Sequence, residues 1–267
     1  MGLGLETFPT LAAAGEALAA NAAARYLGGG TLVVRSANEG DVGFETYVTA
    51  SERALTDIVV ADGRATIGAG VTMARIAREP ALGFLAPAAR AVGGPAIRNM
   101  ATVGGNLFAP VPYGDFAVAL LALDASLDID GEPVAVSAFF AGRDTTHAGA
   151  LVRSVSFTLP AEGSFLFAKA SRVRPKGASV VTIAAVVEER AGTISSARIA
   201  YGCMADRPIR APAVERALAG KARTADGIAA ALAVATEGTA PPTDAIASAW
   251  YRGEVLPVHL KRLLLPA

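Results

Sequence analysis

Two glycine-rich stretches carry the chemistry that this sequence offers: Gly28-Gly29-Gly30-Thr31 and Thr102-Val103-Gly104-Gly105-Asn106. Consecutive glycines permit positive φ and let a ligand approach the main chain closely. Their exposed N–H groups can form an anion-binding nest. Thr31, Thr102 and Asn106 add side-chain donors nearby. Two such loops facing each other would wrap a diphosphate from both sides, with no basic residue required. Either loop alone, in a glycine-rich chain, reads first as a plain turn. Neither is a P-loop or a Rossmann fingerprint, and Gly68-Ala69-Gly70 lacks the third glycine.

The sequence also excludes chemistry. It has one cysteine, Cys203, and two histidines, His147 and His259. An iron–sulfur cluster takes about four thiolates, and a structural zinc site about four Cys or His ligands. Those residues build neither, so redox chemistry on this chain requires an organic cofactor. No triad or proton-shuttling dyad stands out, and neither histidine lies beside a cofactor motif. We therefore expect no catalytic side chain and no metal ligand.

The chain has 267 residues, 52% of them apolar and 18% charged, with a formal net charge of zero. Such a composition builds one large or two smaller cores. The longest basic run is Lys261-Arg262, which gives nucleic acid nothing to bind. Mean hydropathy is high, +0.42. Yet the most apolar windows, 116–127 and 180–187, are shorter than the roughly 20 residues that span a bilayer. The opening MGLGLETF lacks the basic and apolar regions of a secretory signal. The expectation is a cytoplasmic protein with some apolar surface covered by partners.

The elements that must position these loops follow from pattern. Residues 11–24 read as an alanine-rich helix. Residues 25–27 read as a strand, the glycines as a turn, and 32–35 as a strand or a helix start. Residues 36–54 read as an irregular excursion. Asp62-Gly63 and Asp130-Gly131 mark hairpins, 55–60 with 65–67 and 127–129 with 134–136. Short helices are expected at 71–78, ended by Pro80, at 85–92, stopped by Gly93-Gly94-Pro95, and at 115–123. A strand is expected at 151–159. Beyond about residue 160 the pattern changes to three strands (164–170, 180–188, 196–201), the latter two joined at Ala191-Gly192. Helices follow at 213–218 and 225–235, then a linker at 238–243. A final helical segment, 244–265, has Pro257 at a start or kink.

Taken in order, GGGT, IGAGVT, IRNMATVGGNL and PYGD followed by ALLALDA resemble the FAD-binding subunits of the molybdenum hydroxylases, the xanthine dehydrogenase and carbon monoxide dehydrogenase family. FAKASRVRPKGASVVTIAAVV, ARIAYGCMADRPIRAPAVERALAG and SAWYRGEVLPVHLKRLL resemble that family's C-terminal domain. The resemblance covers nearly the whole chain. It implies an α+β protein: a two-subdomain FAD-binding fold of the p-cresol methylhydroxylase type over residues 1–160, split near residue 55, then a small C-terminal domain of a β-sheet with helices over 161–267.

For the site, the resemblance implies FAD diphosphate contacts from Gly28, Gly29, Gly30 and Thr31, with Leu32 following, and from Thr102, Val103, Gly104, Gly105 and Asn106. Ile67, Gly68 and Ala69 match a stretch lining the cofactor. Asp115 matches an acidic residue near FAD, an acceptor for ribose or adenine-side hydroxyls; it also reads as an N-cap for the helix after it. Lys169 matches a lysine near the cofactor that stabilises negative charge; it also reads as a surface lysine. The run after Thr31 lacks the family's aspartate, so contacts from residues 32–47 stay open.

The resemblance further implies a large molybdenum-cofactor subunit and a small subunit with 2Fe-2S clusters, assembled as a dimer of heterotrimers. Electrons would pass from those clusters through FAD to an acceptor. Two other readings remain: a stand-alone flavin oxidase or reductase of the same fold, and a non-catalytic structural subunit.

Overall fold

The structure is a computed structural model describing residues 3–41, 43–173 and 177–265. Arg174, Pro175 and Lys176 of the FAKASRVRPKGASVV segment lie outside the described residues, as does Val42 of the 36–54 excursion.

Three sheets organise the chain. The first contains β1 (Gly4–Phe8), β2 (Ala24–Tyr26) and β3 (Thr46–Ala50), all parallel, in the order β1-β3-β2. Helix α1 (Leu11–Ala20) crosses from β1 to β2, with the Thr10 side chain capping its first turn. Leu27 N–H extends the β2–β3 pairing to the Val48 carbonyl. The glycine run leaves the sheet there, and the chain turns into α2 (Val33–Asn38). Residues 32–35 are thus a helix start, and the 36–54 excursion contains a strand.

The second sheet is antiparallel. It contains β4 (Ile58–Ala61), β5 (Arg64–Gly68), β6 (Ser126–Ile129), β7 (Glu132–Ala135) and β8 (Val152–Thr158), ordered β4-β5-β8-β6-β7. The expected hairpin turns are present. Asp62 and Gly63, and likewise Asp130 and Gly131, all have positive φ, the geometry that matches strand twist. Between β5 and β6 run α3 (Met73–Ile76), α4 (Ala86–Ala91), α5 (Pro95–Met100), α6 (Val103–Leu107) and α7 (Asp115–Ala122). Pro95 stops nothing: it occupies the first turn of α5, where its missing N–H costs no hydrogen bond. Pro80 likewise opens a 3-10 turn, Pro80–Leu85. Helix α8 (Val136–Gly142) follows β7 directly.

The third sheet contains β9 (Phe165–Ser171), β10 (Ser179–Arg190), β11 (Thr193–Gly202) and β12 (Ile209–Arg210), antiparallel in the order β12-β11-β10-β9. Residues 180–187 form an unbroken buried run because both faces of this sheet are covered. Ala184 and Val186 pack with the α7 core; Ile183, Ala185 and Val187 pack with α9 (Pro212–Leu218), α10 (Ala229–Ala233) and α11 (Ala249–Leu264). Pro257 falls inside α11.

Helix α7 is buried on every side, as its sequence, apolar throughout after Asp115, requires. Each fully buried Val, Leu or Phe there contributes about 1.5–3 kcal/mol. Val118 meets Gly202 of β11, where a Cβ would stand 2.7 Å from Val118 Cγ2. Arg198 Nε donates to the Ala122 carbonyl at 3.1 Å, satisfying the helix C-terminus with a cation. One helix thus serves the cores of both neighbouring sheets.

Candidate flavin site

A cleft of about 670 Å³ opens between the first sheet, the α5–α7 segment and β9. Its volume lies in the usual range of cofactor sites, roughly 300–1,000 Å³. Gly28, Gly29, Gly30, Thr31 and Leu32 line one wall; Ala69, Thr102, Gly104, Gly105 and Asn106 line another; Asp115 and Lys169 lie on the same surface. Ile67 and Val103 do not, since both side chains are fully buried in the core. Hydropathy alone separates these two from their small neighbours.

The two glycine stretches meet. A Cβ on Gly28 would stand 3.2 Å from Thr102 Oγ1. A Cβ on Gly29 would overlap the main-chain carbonyl of Met100. Glycine at 29 is therefore a packing requirement, because no main-chain atom can yield as a flexible side chain would.

Their main chains differ in what they offer. Among the described residues, none of the N–H groups of residues 28 to 33 donates to another protein group. All of these residues face the cleft. Such a run of unsatisfied donors costs free energy unless water or a ligand accepts from it. The second stretch has spent its donors. Val103 N–H goes to Val71 O (2.9 Å), Gly104 N–H to Ala69 O (2.8 Å) and Asn106 N–H to Thr102 O (3.0 Å). Gly105 N–H goes to Thr102 Oγ1 at 3.0 Å. The sequence reading of two facing sets of free donors is corrected here. Residues 102–106 form a capped helical turn, and only the first loop is a nest.

Glycine in the second stretch serves close approach: a Cβ on Gly104 would lie 3.0 Å from Ala69 Cβ. Gly68 and Gly70 are explained in the same way, both pressed against the Leu55 main chain. Asn106 Oδ1 accepts from Ala117 N–H at 3.0 Å, which orients its amide.

Asp115 is 6% exposed and already heavily bonded. Its Oδ2 lies 2.7 Å from Lys169 Nζ, and its Oδ1 accepts from Ser179 Oγ and Thr182 Oγ1, each at 2.5 Å. It is not an N-cap: Gly114, with φ 90°, holds that position and Asp115 is the first helical residue. Lys169 is not a surface lysine either; Nζ also donates to Ala91 O at 2.9 Å. A buried carboxylate survives only when paired and hydrogen-bonded, and this one is held by β9 and β10. The cleft therefore draws on the third sheet as well as the first two.

Sequence reasoning missed Arg252. Its side chain is fully buried on α11. It pairs through Nη2 with both oxygens of Asp244 at 2.8 Å, and through Nη1 with the carbonyls of Ser179 and Val180. It thereby anchors the start of β10, where Ser179 meets Asp115. Arg252 is in register with Leu256, Leu260 and Leu264 on the buried face of α11, and that spacing was the available signal. Cys203 is buried nearby. Burial, then the Asp115 charge, pushes its thiol up to about 12. His147 stacks on Phe139 with ring centroids 5.7 Å apart. Among the described residues no cluster of three or more His, Cys, Asp or Glu side chains could hold a metal, and no helix is long and apolar enough to cross a membrane.

A parallel three-stranded unit and an antiparallel five-stranded unit flank the glycine nest. Residues 7–161 match the FAD binding domain in molybdopterin dehydrogenase, and residues 166–267 match the CO dehydrogenase flavoprotein C-terminal domain. The chain belongs to this flavoprotein family, and FAD is the cofactor of its first domain. It is 31% identical over 222 residues to the putative xanthine dehydrogenase FAD-binding subunit XdhB of Escherichia coli K12, covering 78% of this chain and 76% of that one. It is 29% identical over 177 residues to the glyceraldehyde dehydrogenase medium chain of Sulfolobus acidocaldarius, covering 64% of this chain and 63%, just under two thirds, of that one. Its fold matches a chain of Cu,Mo-CO dehydrogenase at a TM-score of 0.90 and 23% identity, over 99% of this chain and 96% of that one. A chain of quinoline 2-oxidoreductase from Pseudomonas putida 86 matches at 0.89 and 24% identity, with the same coverage of both chains. At these identities the structural likenesses speak for the fold.

Proposed function

We propose that this chain is the FAD-binding electron-transfer subunit of a multi-subunit molybdenum hydroxylase. The carrying observation is the run of unpaired N–H groups at residues 28–33, facing a closely packed turn at 102–106 across one cleft. Gly28, Gly29, Gly30, Thr31 and Leu32 donate to the diphosphate. Thr102, Gly104, Gly105, Asn106 and Ala69 form the opposing surface, to which Val103 and Ile67 contribute from beneath. Lys169 sets a positive charge on the wall and Asp115 holds it in place. When bound, FAD supplies the electron-accepting chemistry, and the protein's part is to bind, orient and shield it.

In this reading residues 1–160 form the FAD-binding domain, with subdomains meeting near residue 55, and 161–267 the C-terminal domain. Electrons arrive from 2Fe-2S clusters on a small partner subunit and originate at a molybdenum cofactor on a large one. They leave to a separate acceptor. The assembly is a dimer of heterotrimers in the cytoplasm. This chain's single cysteine supports that division of labour.

The test is purification of the chain with its partners. We expect visible flavin absorbance, extractable FAD, and a molybdenum chain and a cysteine-rich chain in the same complex. A colourless complex without FAD would refute the assignment. A yellow chain that oxidises a substrate with no partner present would favour a stand-alone enzyme.

A further inference from the structure

The charges in the cleft do not balance those of a dinucleotide. A diphosphate brings two negative charges. Among the described residues lining the cleft, the cationic side chains are Arg35 and Lys169, and the anionic one is Asp115. Lys169 is matched to Asp115 at 2.7 Å. Arg35, on the helix that the nest turns into, is paired as well, but with Glu39 at the exposed surface, where an ion pair is weak; it is therefore the cation of the cleft that can turn to a phosphate.

Arg35 is built to stay there. Its Nη1 donates to the Tyr113 hydroxyl at 3.0 Å, linking α2 to the 110–114 turn across the cleft mouth. Its Nε pairs with Glu39 at 2.8 Å. A guanidinium carries five N–H donors, so these two bonds leave others to offer. Arg35 and Tyr113 also border a neighbouring hollow of about 380 Å³, together with Leu32, Val33 and Pro110. The pair lines both cavities, with the Arg35 side chain more than half exposed.

We propose that Arg35 is the charge-neutralising residue of the cofactor's diphosphate, and that Tyr113 is its positioning partner. The inference rests on the flavin reading above. Planar guanidinium suits phosphate oxygens through paired hydrogen bonds, and it adds charge to a nest that otherwise offers only amide dipoles. Nothing covalent is required. The nest fixes where the diphosphate lies, and Arg35 supplies affinity that falls with ionic strength.

The test uses the full chain stripped of flavin, titrated with FAD, ADP and riboflavin at low and high salt. Arg35→Gln should weaken FAD and ADP binding by roughly 10- to 100-fold, flatten the salt dependence and leave riboflavin binding unchanged. Arg35→Lys should recover part of the loss. Tyr113→Phe should weaken FAD less than Arg35→Gln does. Two results would overturn the proposal: Arg35→Gln binding FAD as the parent does at both salt concentrations, or losing riboflavin and FAD equally. Unchanged thermal melting of the variant keeps a folding defect separate. A parent chain that binds neither FAD nor ADP sinks the flavin reading itself, and this inference with it.

Discussion

Lys169 Nζ stands 2.7 Å from Asp115 Oδ2 although the two residues are 54 positions apart, on β9 and α7. The pair joins the third sheet to the helix beneath the cleft. Removing one partner leaves a buried charge uncompensated, which typically costs about 3–5 kcal/mol. Asp115→Ala should therefore lower the free energy of unfolding in urea by about that much. Lys169→Met should cost less, because Ser179 and Thr182 still donate to the carboxylate. Equal, sub-kilocalorie effects for both variants would contradict this account.

Gly29 and Gly63 provide a matched contrast. A Cβ on Gly29 meets the Met100 carbonyl, whereas one on Gly63 meets open space. We expect Gly29→Val to abolish flavin retention, read as the ratio of flavin to protein absorbance. Gly63→Asn, at a turn position with φ 72°, should retain flavin fully because asparagine tolerates that conformation. Gly104→Ala should fall between them, since Ala69, with its Cβ at 3.0 Å and its carbonyl oxygen at 3.1 Å, must shift by a few tenths of an ångström.

Stability should decline at high pH. Burial pushes the Cys203 thiol up to about 12 from an ordinary value of 9.0. The Tyr201 phenol is also raised by burial, with the Glu215 charge adding to it. A group with a raised folded pKa stabilises fully below its unfolded value and loses that contribution as pH climbs toward its folded value. Melting temperature should thus fall between about pH 9 and pH 12, and Cys203→Ala should flatten part of the fall. A thiol reagent at pH 8 should label the native chain far more slowly than the urea-unfolded chain.

Arg252→Met should test the anchor on α11. Asp244 keeps its hydrogen bonds from Ile246 and Ala247 N–H, but the Ser179 and Val180 carbonyls lose their donor. We expect a loss of about 1–3 kcal/mol for the unpaired buried groups, together with faster amide exchange at the start of β10.

The sequence made the turns and the long strands legible. Asp62-Gly63, Asp130-Gly131 and Ala191-Gly192 stand at hairpins, and all have positive φ. It hid β1 and β3. These are short parallel strands, and β1 is exposed along most of its length, so alternation carries no signal there. It also hid α5 and α6, since Pro95 and the 104–105 glycines read as breakers while the structure uses them as helix starts. For the site, residue types located the first loop and the cleft, because glycine freedom is written in the sequence. They could not reveal which N–H groups remain unpaired, since that depends on Ala69 and Val71 reaching residues 103 and 104 from another segment. Nor could they pair Asp115 with Ser179 and Thr182, which are distant in sequence and ordinary in type.

Helix α7 lies between the five-stranded sheet and β10–β11, buried all round, and Arg198 closes its last turn. The cofactor half and the terminal half are consequently not interchangeable cassettes. Grafting either onto a relative's other half would strip α7 of a matched neighbour. A chimaera cut near residue 160 inherits a mismatched seam along one helix, beneath the floor of the cleft.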